Sequence, residues 1–565
     1  CRLGREPACE HCWDTSQPTN TAFVIPCDAY RERNSEIMHS TRGLISAIAL
    51  SMISAGILWL TDIPLGIPGE WTWERIPTDD ARIELILGAA QSGIAGVVYI
   101  LMAWLGSRRI ANCSRTELAG WLIGIASVGF GWMLAVQESP PSGWRLSKAA
   151  FVLYYPGSSG YFHKARYEIR DTDEFLRGYE DLMAEGDVLH VGTHPPGLFL
   201  FYRTMIDEMN RRPALAEFIV SMAPASITES FDIIDANEQR SGKELTTSDR
   251  AVIWLTTLLT QACCVLTVVP IFLMMRQTNS RDTSWRATAF WPLIPTLVIF
   301  IPKSDVLFVL PAALLVWTWL TAARHQSILF GALAGAIGWA GLFCSLAFLP
   351  IGLIAFVASL LGTVKLDEGD GTGETSPQAV LQQPVTLVWL WKPLLGGVIA
   401  VGGLTLIASL LCGMNLLNVW IYNYHNHAAF YSQFTRTVWK WWLVNPVELA
   451  FAAGVPVIFL LVRSVMLRLS DWRVAVRDPL LLSFVTVWTL LWLSGKNSGE
   501  AARLWNPLFP ILLVVAAGGL AKTTQPDRAN STHDDLGSER AWLILLSCQA
   551  VVCAAIVMRV SGFHF

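Results

Sequence analysis

The sequence predicts an all-α polytopic membrane protein, and three observations predict it. Hydrophobic residues make up 53 % of the 565 positions and charged residues only 15 %. A soluble globular chain carries about a quarter charged residues, so the charges here are too few to cover a water-facing surface. Apolar runs of roughly 20 residues, the length a helix needs to cross a hydrocarbon core, recur along the chain. The 25 tryptophans suit helix ends set at a lipid–water interface. The same balance excludes a disordered chain, a collagen-like fibre and a disulfide-stapled secreted domain. The formal net charge of −4 gives no sign of nucleic-acid binding.

The first 36 or so residues lack apolar periodicity, and Met38 followed by Arg42 and an apolar run looks like a bacterial membrane-protein start. Residues 1–37 are therefore expected to be a disordered or mis-called N-terminal extension. Within them Cys9-Glu10-His11-Cys12 has the spacing of half a zinc site, but a second ligand pair is missing. Cys263, Cys264, Cys344, Cys412, Cys548 and Cys553 lie in apolar runs and read as small core residues.

Spanning runs fall near 43–61, 85–105 and 119–136, then 251–275, 287–301, 304–322, 326–345, 347–364, 388–412, 446–463, 479–495, 504–521 and 541–559. About 11–13 transmembrane helices are expected on this criterion, with a large outer loop region between spans three and four. Residues 38–136 then hold the first three spans and an acidic first outer loop. Residues 137–250 form the outer loop region, and 251–565 hold the remaining spans with polar linkers at 366–378 and 522–540.

Basic residues set the orientation. Arg31, Arg33 and Arg42 place the N-terminus in the cytoplasm, and alternation from there puts Arg108, Arg109, Arg115, Arg276, Arg281, Arg286, Arg324, Arg463, Arg468, Arg473 and Arg477 inside. The absence of a cleavable signal in the sequence leans towards a bacterial inner membrane.

With that sidedness the unusual polar clusters all fall on the outer side, at or just beyond helix ends. They are Asp62 with Glu70 and Glu74, the Tyr154–Tyr161 run with His190 and His194-Pro195-Pro196-Gly197, Lys303-Ser304-Asp305, Tyr422–His427, and Lys496–Arg503. A transporter places ionisable groups near the bilayer midplane, whereas an enzyme acting on a membrane-anchored substrate gathers them at one interface. Each cluster also has an ordinary reading. Asp62 can be a solvated loop carboxylate, although its place just past a span favours partial desolvation. His194 can merely flank a rigid Pro-Pro-Gly turn. His425 and His427 make a weak metal pair. Lys303 and Asp305 can form a local salt bridge, but charges between apolar runs are costly without a use. Glu500 and Arg503, three residues apart, can pair on one helix turn; the functional reading has Arg503 hold a phosphate.

These motifs and the span pattern resemble the GT-C superfamily of polytopic membrane glycosyltransferases, which includes protein mannosyltransferases. An acidic residue just after the first span is matched by Asp62, with Glu70 and Glu74 behind it. Lys303-Ser304-Asp305 looks like the short polar break that opens a middle helix in that family. Gly499-Glu500-Ala501-Ala502-Arg503-Leu504-Trp505 is similar to a Gly-Glu-x-x-Arg-x-Trp element of several bacterial members. The resemblance covers roughly residues 43–520, and the chain departs from it by lacking an Asp-Asp or Asp-x-Asp pair directly after span one. It implies transfer of a sugar from a polyprenyl-phosphate donor to an unidentified acceptor on the periplasmic side. Asp62 would be the catalytic base, alone or with a divalent metal, Mg or Mn. Glu70, His194, Lys303, Asp305, His425, Glu500 and Arg503 would bind substrate. The rival expectations are a transporter or flippase of a lipid-linked precursor, and a non-catalytic membrane assembly factor.

Overall fold

In the computed structural model of the chain, the described residues are 27–189, 191–362, 364–366, 379–381, 388–469, 478–520 and 534–563. Contacts divide the chain into Cys1–Ser46 and Ala47–Phe565. His190, the Cys9–Cys12 motif and most of the two expected linkers lie outside the described residues.

The chain is helical almost throughout. α1 (Cys27–Leu60) begins inside the expected extension, so the stretch from Cys27 to Glu36 is helix. A short loop carries β1 (Gly66–Ile67), β2 (Trp71–Thr72) and β3 (Glu74–Arg75), with β1 antiparallel to β2. α2 (Arg82–Arg109) and α3 (Arg115–Gln137) follow as a packed pair, and α3 opens on a capping box in which Ser114 and Glu117 satisfy each other's backbone N–H groups.

Residues 137–250, expected as an outer loop region, contain no whole candidate span among the described residues but are helical. They fold into seven short helices: α4 (Lys148–Tyr154), α5 (Tyr161–Tyr167), α6 (Thr172–Arg177), α7 (Tyr179–Ala184), α8 (Gly197–Arg211), α9 (Pro213–Ser221) and α10 (Ala225–Glu238). Their apolar residues are too interspersed with charge to register as spans, yet they bury one face each. In α8 that face is Leu198, Phe199, Tyr202, Ile206 and Met209, at helical spacing.

α11 (Thr247–Leu266) and α12 (Val268–Met275) form the next span, followed by α13 (Arg281–Thr288). The run expected to span at 287–301 does not do so. Pro292 and Pro295 each lack a backbone donor, and the segment divides into a 3-10 turn, Trp291–Leu293, and the one-turn α14 (Pro295–Ile299). Then come α15 (Ser304–Leu307), α16 (Val309–His325), α17 (Ile328–Leu342), α18 (Phe348–Leu361), β4 (Val364–Leu366), β5 (Ala379–Leu381), α19 (Trp391–Cys412), α20 (Leu416–Gln433), α21 (Val438–Ala453) and α22 (Val455–Leu469). Further helices cover Pro479–Leu493, Ala501–Leu504, Phe509–Ala516 and Asp534–Val557, and β6 (Val560–Ser561) pairs antiparallel with β3. The helix from Asp534 takes in the end of the expected 522–540 linker.

Among the described residues seven helices are long and apolar enough to cross a membrane, or eight if the bent pair α21–α22 is one span. The expected 11–13 is reached when four shorter apolar helices are included, Ile328–Leu342, Phe348–Leu361, Pro479–Leu493 and Asn506–Gly519. The bend of 113° falls at Gly454, whose φ of +85° suits a residue without Cβ. Gln549 fills the break, donating to the carbonyls of Ala453 and Leu293 at 2.9 and 3.0 Å.

The basic loops converge on one end of the bundle. Arg281 donates to the Cys113 carbonyl at 2.7 Å, Arg324 to that of Gln277 at 3.4 Å, and Trp542 to that of Arg286 at 3.0 Å, while Arg108 pairs with Glu539 at 3.1 Å.

Candidate active site

At the opposite ends of these helices the first loop is pinned by its own charges. Arg75 donates from Nη1 to the Leu58 carbonyl and from Nη2 to that of Ile63, both at 2.7 Å, and Arg559 also binds the Leu58 carbonyl, at 3.3 Å. Asp62 sits beside this arginine, exposed, and accepts no hydrogen bond from a described residue. Glu70 is tied down instead: Thr437 donates to it from backbone N at 2.8 Å and from Oγ1 at 2.5 Å, and Trp441 donates from Nε1 at 2.7 Å. Burial acts to raise its pKa, but these donors outweigh it and hold the carboxyl below its ordinary range.

Two tryptophans carry the loop onto the bundle. Trp73 donates to Glu448 of α21 at 3.1 Å and packs edge-on against Phe300, which in turn meets Phe563. Trp71 approaches Gly499 so closely that a Cβ there would lie 3.2 Å from it and from Trp441. Gly499 has φ of +92°, so a left-handed turn and a close approach both call for glycine at this point. That turn delivers Glu500 and Arg503.

Arg503 is the centre of the cluster. Its Nη2 donates to Glu500 at 2.6 Å and its Nε faces Asp305 at 3.4 Å, all three side chains being largely buried. Asp305 sits in the first turn of α15, and Lys303 caps that helix. The sequence allowed a Lys303–Asp305 salt bridge; the structure gives the carboxylate to Arg503. Lys303 is 6 % exposed, has no ion-pair partner among the described residues, and places its ammonium 5.8 Å from the Phe563 ring centre.

α5 brings Tyr161 to the same charges, and its electrostatic neighbours are Asp305 and Arg503. Burial pushes its phenol well above the ordinary value, so the hydroxyl keeps its proton. His194 meets the Tyr161 ring at 5.5 Å, edge-on. The histidine's backbone is held as well: Tyr179 donates to its carbonyl at 2.7 Å. Two asparagines of α20 hold the preceding turn. Asn423 and Asn426 donate to the Gly192 carbonyl at 3.0 and 2.9 Å, and Asn426 also reaches the Met183 carbonyl at 2.9 Å.

Of the residues singled out from sequence, Lys303, Asp305, Glu500 and Arg503 thus form one group, with His194 adjoining it through Tyr161. Glu70 buttresses the wall. His425 is exposed, with Tyr424 as its ring neighbour at 5.9 Å. Of that cluster Asn423 and Asn426 are buried, and the histidine that turns inwards is His427, stacked on Tyr431, whose hydroxyl accepts the Asn497 N–H. Sequence reasoning placed Tyr161 in a polar run without giving it a role of its own, and missed Glu448 and Phe563 as members. Glu448, 1 % exposed and with no hydrogen-bond partner for Oε2 among the described residues, carried a usable signal as a lone carboxylate in an apolar run.

The resemblance implies a divalent metal, for which the described residues offer no grouped donor set. Among the described residues no three His, Cys, Asp or Glu side chains are grouped to hold an ion, and the central carboxylates are occupied by Arg503. No family model matches the chain, and no similar protein was found among curated proteins or solved structures.

Proposed function

We propose that this protein is a membrane glycosyltransferase that moves a sugar from a polyprenyl-phosphate donor to an acceptor hydroxyl on the outer side of a bacterial inner membrane. The observation that carries the reading is the Lys303 ammonium, nine-tenths buried and without an ion-pair partner among the described residues, beside the Arg503–Asp305–Glu500 group. Burying an ammonium without a carboxylate costs several kcal/mol, roughly, and a bound anion would offset that cost. A phosphate carrying a hydrocarbon tail matches both the cations and the apolar surroundings.

In the proposed step the acceptor oxygen attacks the anomeric carbon with inversion, the bond from that carbon to the phosphate oxygen breaks, and its electron pair stays on the phosphate. Lys303 and Arg503 neutralise the leaving phosphate, the electrostatic part of the catalysis. The acceptor proton passes to a carboxylate. Asp305 and Glu500 are engaged by Arg503, Glu70 by three donors, and Glu448 is buried and holds Trp73, so the acid assigned to this step is Asp62, exposed just after the first span. His194 and Tyr161 orient the sugar.

Purified protein in lipid vesicles, given labelled polyprenyl-phosphate sugars, tests the reading. Arg503→Lys keeps the charge but cannot span both carboxylates, and transfer should fall about a hundredfold. Asp62→Asn should abolish transfer while melting like wild type. Normal transfer by Asp62→Asn sinks the base assignment, and passage of intact donor across the bilayer sinks the enzyme in favour of a transporter.

A further inference from the structure

The helix α9 lies outside the spans and outside the candidate active site, yet it divides into three sectors when drawn at 3.6 residues per turn. Ala216 and Ile219, 1 % and 5 % exposed, face the protein. Leu215, Phe218 and Met222, the last just past the helix end but still in helical conformation, are 37 %, 59 % and 49 % exposed. These three fall within an arc of roughly 60°. Glu217 and Ser221, also exposed, occupy the sector beyond Phe218. A helix wholly in water has no use for the middle sector, and a spanning helix would not carry the third.

Its surroundings say what meets the apolar sector. α9 packs along α11, part of a 29-residue span. At 1.5 Å per residue that span is about 43 Å long against a hydrocarbon core of about 30 Å, so a few of its turns lie at the headgroup level. The polar turn Thr247–Arg250 is such a place. From Ser248 to Leu258 no residue of α11 is exposed, and its outward surface opens at Leu259. The outer surface of the bundle at the first half of α11 is therefore supplied by other elements packed there, α9 among them, and is continuous with the lipid-facing surface beyond. Arg211 and Arg212, both paired with Glu208 at 2.8 and 3.3 Å, mark the polar start of α9.

We propose that α9 lies in the boundary between headgroups and acyl chains of the bilayer, with Leu215, Phe218 and Met222 in contact with lipid and Glu217 and Ser221 turned to water. This is the surface arrangement of an interfacial helix, here anchoring the helical region that carries Tyr161 and His194. It does not rest on the transferase reading.

The test uses the full chain in vesicles of phosphatidylethanolamine and phosphatidylglycerol. Benzoyl-phenylalanine is placed, one position at a time, at 215, 217, 218, 221 and 222, all exposed and so tolerant of the larger ring. After irradiation, adducts are identified by mass spectrometry, with position 259 as the lipid-facing reference. Lipid adducts at 215, 218 and 222, but not at 217 and 221, are the expected result. Lipid adducts at none of the five, at all five alike, or protein adducts at 215, 218 and 222 would overturn the proposal.

Discussion

At Glu70 three donors from the start of α21 converge on one carboxylate, and that contact fastens the first loop to a helix more than 360 positions away. The donors prefer the charged form, so the folded pKa lies below the ordinary 4.5. A carboxyl depressed in this way contributes stability that is complete above its unfolded pKa and is lost as pH falls through the folded one. The melting temperature of the wild type should therefore drop more than that of Glu70→Gln between about pH 5 and about pH 3. Parallel drops would mean that the contact has no net worth. The charged part of the site was legible because Lys303, Asp305, Glu500 and Arg503 interrupt apolar runs, where an unused charge is costly. Which charge pairs with which was not. Arg503 takes Asp305 away from its sequence neighbour Lys303 because the Gly499 turn brings it there, and no local spacing encodes that approach. Tyr161 and His427 were named within polar runs, but their individual roles were not legible for a related reason: aromatic and histidine side chains at helix ends look like ordinary interfacial residues until the fold turns them inward.

Packing between α17 and α19 is governed by glycines facing backbone across the contact. A Cβ on Gly396 would lie 2.1 Å from the Ile328 carbonyl oxygen, and one on Gly331 2.3 Å from that of Pro393, so neither helix can accept a methyl group without moving apart. Close backbone approach through small residues is a common way for helices to associate in lipid, where apolar side chains gain little from one another. Gly402, on the same helix, would have nothing within 4 Å of its Cβ. Gly396→Ala should lower stability by about 1–3 kcal/mol through overpacking. Gly402→Ala should leave it unchanged or raise it slightly, since alanine is the better helix former. Thermal melts of the two variants in one detergent check this, and equal melts would show that the helices separate without cost. At this scale hydropathy located most spans but not their breaks. The run at 287–301 is as apolar as its neighbours, and prolines at 292 and 295 decide that it turns. The helices of 137–250 escaped because each is short and buries only one face, below the threshold that reveals a span.

Across the whole molecule the charges separate by end. Arg108, Arg281, Arg286 and Arg324 meet the loops near Cys113, Gln277, Glu539 and Trp542 at one end, and they are the residues that the distribution of basic loops assigns to the cytoplasm. Lys303, Glu500 and Arg503 gather with Tyr161 and the first loop away from them. The Lys243 carbonyl, in the turn after α10, accepts from Tyr167 of that same α5 at 3.1 Å. On the proposed transferase reading, orientation therefore decides which compartment would supply the acceptor. An epitope inserted in the Ser241–Gly242 turn should be detected on intact spheroplasts, and one inserted between Ala111 and Asn112, both exposed, only after permeabilisation. The reverse pattern would turn the molecule over and, on the proposed reading, move donor and acceptor to the cytoplasmic side. Labelling of both epitopes from one side would break the alternation itself, and with it the argument that the polar clusters share an interface.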